Sequence, residues 1–388
     1  MLPEILSRVF WHLRHDPPTL QSALLVSKAW AAEATRILWE NPPATALTAI
    51  SPPRRQIYAR QIRSLSFNGD EDGAQHSTFR DLEFPRLRCV TIDQFYPTDA
   101  QRLWLGQYIQ PSLEEFSFYG AQPAEDLLYL LETRCPRLRR VLIDFVFEGV
   151  ASARLVRFFD SCRALTSICL PGNMKEVIDG RLLAYLARRD GLEELELGTV
   201  LECAMLEEVF ATERPFGDIR YLAVNVESRA VPMLVERIRS VRCLTLTLED
   251  SQVNPLPAVS SLVDLQELQI GYVWQGEWEL ADLVALRQLK DLRTLAISPI
   301  YDPVAIPALT DDEFISVFAD MSGLEELVLQ VQCALSAAAL TALAERCPGL
   351  VVCELPGRYD LRGWEDVARP LFPRLRRLEL GAVVGGEG

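Results

Sequence analysis

Apolar residues recur along this chain in a six-residue phrase, apolar-x-x-apolar-x-apolar, with polar residues between them. It is plainest at Leu113-Glu-Glu-Phe116-Ser-Phe118, Leu192-Glu-Glu-Leu195-Glu-Leu197 and Leu324-Glu-Glu-Leu327-Val-Leu329. About thirteen variants follow residue 60, opening at Ile62, Leu87, Leu113, Leu138, Leu165, Leu192, Ile219, Val241, Leu265, Leu292, Leu324, Leu350 and Leu375. Successive openings lie 22 to 32 residues apart, with a mean close to 26. The last two apolar positions of each phrase alternate at the period of a strand and so face inward. Helical spacing separates the phrases, as at Leu127, Leu128, Leu130 and Leu131, at Leu182, Leu183, Tyr185 and Leu186, and at Leu340, Leu343 and Ala344. Several of these segments stop at Arg134-Cys-Pro, Arg189-Asp-Gly or Arg346-Cys-Pro-Gly. One strand and one helix cannot bury their own apolar edge, whereas stacked copies can. The expected fold is therefore an α/β solenoid, with a curved parallel sheet inside and helices outside.

Three places blur the pattern. In Val241-Arg-Cys-Leu244-Thr-Leu246-Thr-Leu248 the phrase can be registered from Val241 or from Leu244. Cys353 takes a leucine position. The longest gap holds an insertion, Ser298 to Pro307, of the kind that maps to one face of a solenoid, often the binding face. The period falls in the roughly 20–29 residue range of leucine-rich repeats. The Cys-Pro-x-Leu lead-ins at Cys135 and Cys347 resemble the cysteine-containing subfamily of those repeats, although asparagine is too scarce for an asparagine ladder.

The first forty residues follow another rhythm. Ile5, Leu6, Val9, Phe10 and Leu13 are spaced for one helical face, with Pro3 and Glu4 suited to its first turn. Pro17-Pro18 breaks the chain. A second stripe runs through Leu20, Ala23, Leu24 and Leu25. A third runs through Trp30, Ala34, Ile37 and Leu38, and closes at Trp39 and Asn41-Pro-Pro. This predicts three short helices over residues 1–41, a linker with a short helix packing on the first repeat over 42–60, and about 13 repeats over 61–388. A unit of about forty residues without cysteine is too small to stabilise itself. Its surplus apolar surface must be covered by the repeats, by another chain, or by both.

The runs Leu2-Pro3-x-Ile5-Leu6-x-x-Val9-Phe10, Leu24-Leu25-Val26-Ser27-Lys28-x-Trp30 and Ile37-Leu38-Trp39 resemble an F-box, over roughly residues 1–40. Followed by degenerate repeats, the arrangement is similar to fungal F-box proteins with leucine-rich repeats. The resemblance implies a substrate-recognition subunit of a Skp–cullin–F-box ubiquitin ligase. Its F-box would bind a Skp-type adaptor, and through it a cullin–RING ligase, while its repeats hold a protein target. By motif position, Leu2, Pro3, Ile5 and Leu6 match the opening segment that meets the adaptor. Leu24, Val26 and Lys28 match the second contact region, and Trp30 fills the small core. The motif starts at Met1 with no residues ahead of it, which leaves a truncated start open. A ligase-independent scaffold that sequesters a partner is the alternative. A repeat-type GTPase activator would need a presented arginine, and nothing selects one.

Composition narrows the chemistry. Residues 1–60 hold seven Lys+Arg against four Asp+Glu, a net of +3, while the remainder holds 32 against 50, a net of −18. An acidic array repels phosphate backbones, so no nucleic-acid partner is expected. No apolar run approaches a membrane span, and the N-terminus lacks the basic start of a signal peptide. Nine scattered cysteines without a Cys-x-x-Cys pair fit a reducing compartment, cytoplasm or nucleus. The three histidines, His12, His15 and His76, show no zinc spacing, and no phosphate-binding glycine loop or nucleophile elbow is present. The expectation is a non-enzyme without cofactor or metal, a monomer within its complex. Candidate target-binding residues are the strand positions facing away from the buried leucines: Tyr119, Glu194, Glu196, Tyr221 and Glu267, with Asp144, Gln269, Glu326, Gln330 and Glu354 beside them. Trp274, in the loop Tyr272-Val-Trp-Gln-Gly-Glu-Trp278, is a further candidate.

Overall fold

A computed structural model describes residues 3–69, 75–94, 105–120, 126–144, 150–210, 215–272, 279–299, 304–306, 309–362 and 371–384. It divides into two compact units, Met1–Val177 and Ile178–Gly388.

The first unit opens with three helices, α1 (Pro3–His12), α2 (Pro17–Ala23) and α3 (Lys28–Leu38), followed by a 3-10 turn (Ala44–Leu47) and α4 (Pro52–Ala59). Pro17-Pro18 starts α2 rather than only ending what precedes it, because proline fits the first helical positions, and Asp16 accepts from the Thr19 N–H. Ser27 caps α3 in the same way, through the Trp30 N–H. Five parallel strands follow: β1 (Ser64–Asn68), β2 (Cys89–Gln94), β3 (Glu115–Gly120), β4 (Arg140–Asp144) and β5 (Ser167–Leu170), each paired with the next.

The second unit holds β6 (Glu194–Leu201), β7 (Tyr221–Val226), β8 (Cys243–Leu248), β9 (Glu267–Tyr272), β10 (Thr294–Pro299), β12 (Glu326–Leu329), β15 (Val352–Asp360) and β16 (Arg377–Val384) in one parallel ladder. Thirteen described strands thus carry the phrase, five in one unit and eight in the other. The first twelve openings, Ile62 to Leu350, are all buried, and Leu375 is half-buried. These are leucine-rich repeats. Leu222 lies opposite Leu244, which settles the β8 phrase as starting at Val241, and Cys353 fills its leucine position fully buried.

Repeat length sets what crosses the outer side. The two shortest repeats carry helices of only five and four residues, Val231–Val235 and Leu256–Val259, while longer repeats hold Gly180–Arg188 or Ala337–Arg346. Gly191, with φ of +71°, makes the predicted stop after Arg189-Asp190, a conformation that an L side chain resists. The long insertion builds a small ladder of its own, β11 (Val304–Ala305) beside β13 (Val331–Gln332), and β14 (Ala334–Ser336) adds to the far end of β15.

Two features explain residues that the leucine pattern leaves open. The Cys135 thiol donates to the Gln110 carbonyl and the Cys347 thiol to that of Met321, both at 3.4 Å, so each cysteine ties its turn to the preceding repeat. Burial pushes their thiols up to about 12 and about 11, far from a reactive thiolate. His76, exposed in neither ring edge, sits among Phe67, Phe79, Phe84 and Tyr108, with its Nδ1 2.8 Å from the Tyr108 hydroxyl.

Candidate functional site: an exposed apolar surface and two strand rows

Within each unit, pairs of backbone amides at the strand starts converge on one carbonyl of the repeat before. Arg88 and Cys89 donate to Arg63 O at 2.8 and 3.0 Å, and Glu114 and Glu115 to Arg88 O at 2.8 Å each. In the second unit Arg242 and Cys243 meet Arg220 O, and Glu325 and Glu326 meet Arg293 O. Among the described residues no strand precedes β1, and its Arg63 and Ser64 amides instead meet Glu40 O at 2.8 and 3.0 Å. The turn that follows α3 therefore supplies the first rung. Around that rung Glu40 is buried, its carboxylate 2.6 Å from Arg36 and 3.5 Å from Arg63, and Trp39 stacks on Tyr58 with centroids 4.5 Å apart. Arg36 also meets Glu33 at 2.5 Å. That hydrogen bond is the main cause holding the Glu33 carboxyl below its ordinary value and raising the Arg36 guanidinium above its own.

The helices so anchored bury Leu6, Phe10, Leu20, Ala23, Ala34 and Ile37 as a small core, with Leu13, Leu24, Trp30 and Leu38 packed against it. Phe10 meets Trp30 edge-on at 5.3 Å. The predicted face of α1 is wider than this core covers. Leu6 is only 5% exposed, whereas Ile5, one residue back, is 51% exposed and Val9, one turn on, is also open. Likewise α2 ends at Ala23, so Leu25 and Val26 fall in the turn that follows and stand 90% and 59% exposed.

Of the residues matched to the adaptor-binding motif, Ile5, Val26 and Lys28 are exposed. Leu6 is buried in the core of the helical unit, and Leu24 is half-buried against it. The Pro3 backbone starts α1, while Leu2 lies outside the described residues. Val9, Trp11 and above all Leu25 are exposed apolar residues to which the motif match assigned no contact. Leucine in a turn that ends a seven-residue helix was the available signal. Six of the eleven large apolar side chains exposed among the described residues lie before residue 60.

The strand positions opposite the core line up as rows. In the first unit Asp93, Tyr119 and Asp144 are neighbours across three strands. In the second unit a row runs Glu194, Tyr221, Cys243, Glu267, Thr294, Glu326, Val352, Arg377. The next row holds Glu196, Ala223, Thr245, Gln269, Ala296, Val328, Glu354 and Glu379. Glu267 is exposed, while Tyr119, Glu194, Glu196 and Tyr221 are half-buried. Carboxylates hold six of the sixteen positions in the two rows of the second unit, against one cation, and Arg377 is drawn to Glu354 and Glu379 at 3.2 and 2.7 Å. Burial first, and then the Glu267 carboxylate, raise the Cys243 thiol. Trp274 lies outside the described residues.

Near the insertion, a cavity of about 690 Å³ is lined by Thr310, Asp311, Ser336, Arg358, Tyr359 and Asp360 among others, with the Asp311 carboxylate hydrogen-bonded by Ser336. Among the described residues no cluster of His, Cys, Asp and Glu could hold a metal ion, and no helix is long and apolar enough to cross a membrane.

No protein-family model matches this sequence, and no curated protein matches it. Among solved structures, the chain is similar to TLR13 in the TLR13–ssRNA13 complex, at 14% identity and a TM-score of 0.47 over 85% of this chain and 47% of that one. It thus spans about half the length of that structure. It is also similar to a chain of the Rad7 and Elc1 complex in yeast, at 14% identity and a TM-score of 0.43, over 90% of this chain and 92% of that one. The leucine-rich repeat-containing protein LegL7 from Legionella pneumophila is 11% identical, with a TM-score of 0.35 over 69% of this chain and 89% of that one.

Proposed function

We propose that this chain is the substrate-recognition subunit of a Skp–cullin–F-box ubiquitin ligase, of the F-box and leucine-rich-repeat kind. The observation that supports this best is the concentration of exposed apolar side chains, Ile5 and Val9 on α1 and Leu25 and Val26 in the turn after α2, in a helical unit whose last turn forms the first rung of the repeats. A helical unit that leaves such surface open is suited to a protein partner. In this reading the helices dock on a Skp-type adaptor, and the strand rows with Tyr119, Glu194, Glu196, Tyr221 and Glu267 hold a protein target. The chain performs no chemistry itself and uses no cofactor. It raises the local concentration of a target lysine near the ubiquitin-charged enzyme. The cytoplasm or nucleus is the proposed setting, where its nine free cysteines stay reduced.

Co-expression with a Skp-type adaptor tests the docking step, with a stoichiometric complex as the expected result. Leu25→Asp combined with Ile5→Asp should abolish co-purification while leaving the melting temperature of the chain within a few degrees. A folded wild-type chain that fails to co-purify sinks the reading.

The acidic rows of the second unit favour a second reading, a scaffold that sequesters a basic partner without any ligase. Deleting residues 1–40 would be a poor way to separate the two, because it removes the Glu40 carbonyl under β1. The Leu25→Asp variant serves instead: a scaffold keeps its cellular effect with it, and a ligase subunit loses it.

A further inference from the structure

A groove of about 650 Å³ lies on the first unit, lined by Lys28, Ala31, Ala32, Thr35 and Arg36 of α3, by Ile57 and Gln61 at the end of α4, and by Arg86. The α3 residues recur at intervals of three and four, so they form one stripe along the helix. Trp30, Ala34, Ile37 and Leu38 form the other stripe and pack into the helical core. The groove is thus the outer side of α3, which the three-helix unit does not cover. Alanines at 31 and 32 keep its floor low. Ile57 stands beside it 61% exposed, an apolar side chain that α4 does not turn into its own packing.

Its charge runs against that of the chain. The whole sequence carries 54 Asp+Glu against 39 Lys+Arg, yet the groove is lined by three cations and one anion, Glu33. Arg36 is engaged by Glu33 and Glu40. Among the described residues Lys28 and Arg86 meet no carboxylate, and the Arg86 guanidinium donates only to the Gln61 side-chain oxygen, at 3.1 Å. Two cations without a countercharge therefore border an apolar floor. From this pairing of charge and apolar surface, we propose that the groove docks an acidic peptide segment of a partner protein. A leucine-sized side chain of the segment sits over Ala31, Ala32 and Ile57, and its flanking carboxylates meet Lys28 and Arg86. The groove lies on a different side of α3 from the core; it shares Lys28 with the positions matched to the adaptor, and its peptide test uses no ligase component.

Fluorescence anisotropy with the full chain at low salt tests this, using labelled twelve-residue peptides with the repeat Glu-Glu-Leu, Gln-Gln-Leu or Lys-Lys-Leu. The acidic peptide should bind at least tenfold tighter than the neutral one, and weaken with added salt. The double change Lys28→Gln with Arg86→Gln should weaken it at least tenfold, and Ile57→Ala severalfold. These residues are at the surface, so melting curves should be unchanged, and a variant that melts early is replaced by the single changes. The proposal falls if the acidic peptide does not bind at millimolar concentration, or if its affinity is unmoved in the folded variants. It also falls if a twelve-nucleotide single strand binds as tightly and is lost with the same changes, since the groove would then select any polyanion.

Discussion

Leu195 and Leu25 are the same side chain in two settings. Leu195, on β6, is covered by Leu222 on the next strand and by the rest of its repeat, and is fully buried. Leu25 lies in a turn after α2, where no neighbouring element reaches it. In the repeats before β16 each phrase residue has an apolar equivalent in the adjoining strand, so burial follows from the stacking itself. The helices have no such neighbour, and their apolar residues outnumber the positions their small core can cover. Apolar side chains in the repeats therefore build shape, while those left over on the helices are free to recognise.

The largest effect expected from breaking this contrast is at Leu195. Leu195→Ala should destabilise the second unit by about 2–5 kcal/mol in urea unfolding, whereas Leu25→Ala should change stability by less than about 0.5 kcal/mol. Comparable losses at the two sites would erase the distinction. Next comes the joint: Glu40→Ala should weaken the first unit by about 1–3 kcal/mol, because it strips Arg36 and Arg63 of a buried carboxylate. Hydrogen exchange at Arg63 and Ser64 would report it directly. Smaller still is Leu378→Ala. Leu378 occupies a phrase position that is buried in the other described strands, yet it is 39% exposed on β16, so about 1 kcal/mol or less is expected.

The smallest effect is a pH slope. Arg36 holds the Glu33 carboxyl below its ordinary value of 4.5, so folding favours its charged form. That contribution is complete above the ordinary value and is lost as pH falls through the lowered one. Melting temperatures measured from about pH 6 down to about pH 3 should fall more steeply for the wild type than for Glu33→Gln. Parallel curves would remove Glu33 from the account.

The strands were legible because each phrase encodes its own burial locally, down to Cys353 standing in for leucine. The helical stops followed from spacing for the same reason. Exposure on α1 was not legible. Ile5, Leu6, Val9 and Phe10 all fit one apolar arc, and which edge of it is covered depends on where α2 and α3 lie. The role of Glu40 was hidden too, since the rung uses its backbone carbonyl, to which residue type is silent. His76 gave no periodic signal before Phe67 and Tyr108 were brought around it.

The rung at Glu40 also bears on the order in which the chain can fold. A ribosome releases Glu40 before Arg63, so the acceptor for the first strand is in place before that strand is made. Each later strand of the first unit then meets a finished edge as it emerges, and growth along its repeats can follow the direction of synthesis. The helical unit that leaves Leu25 exposed would, on this schedule, also be the starting block on which the first repeats are laid.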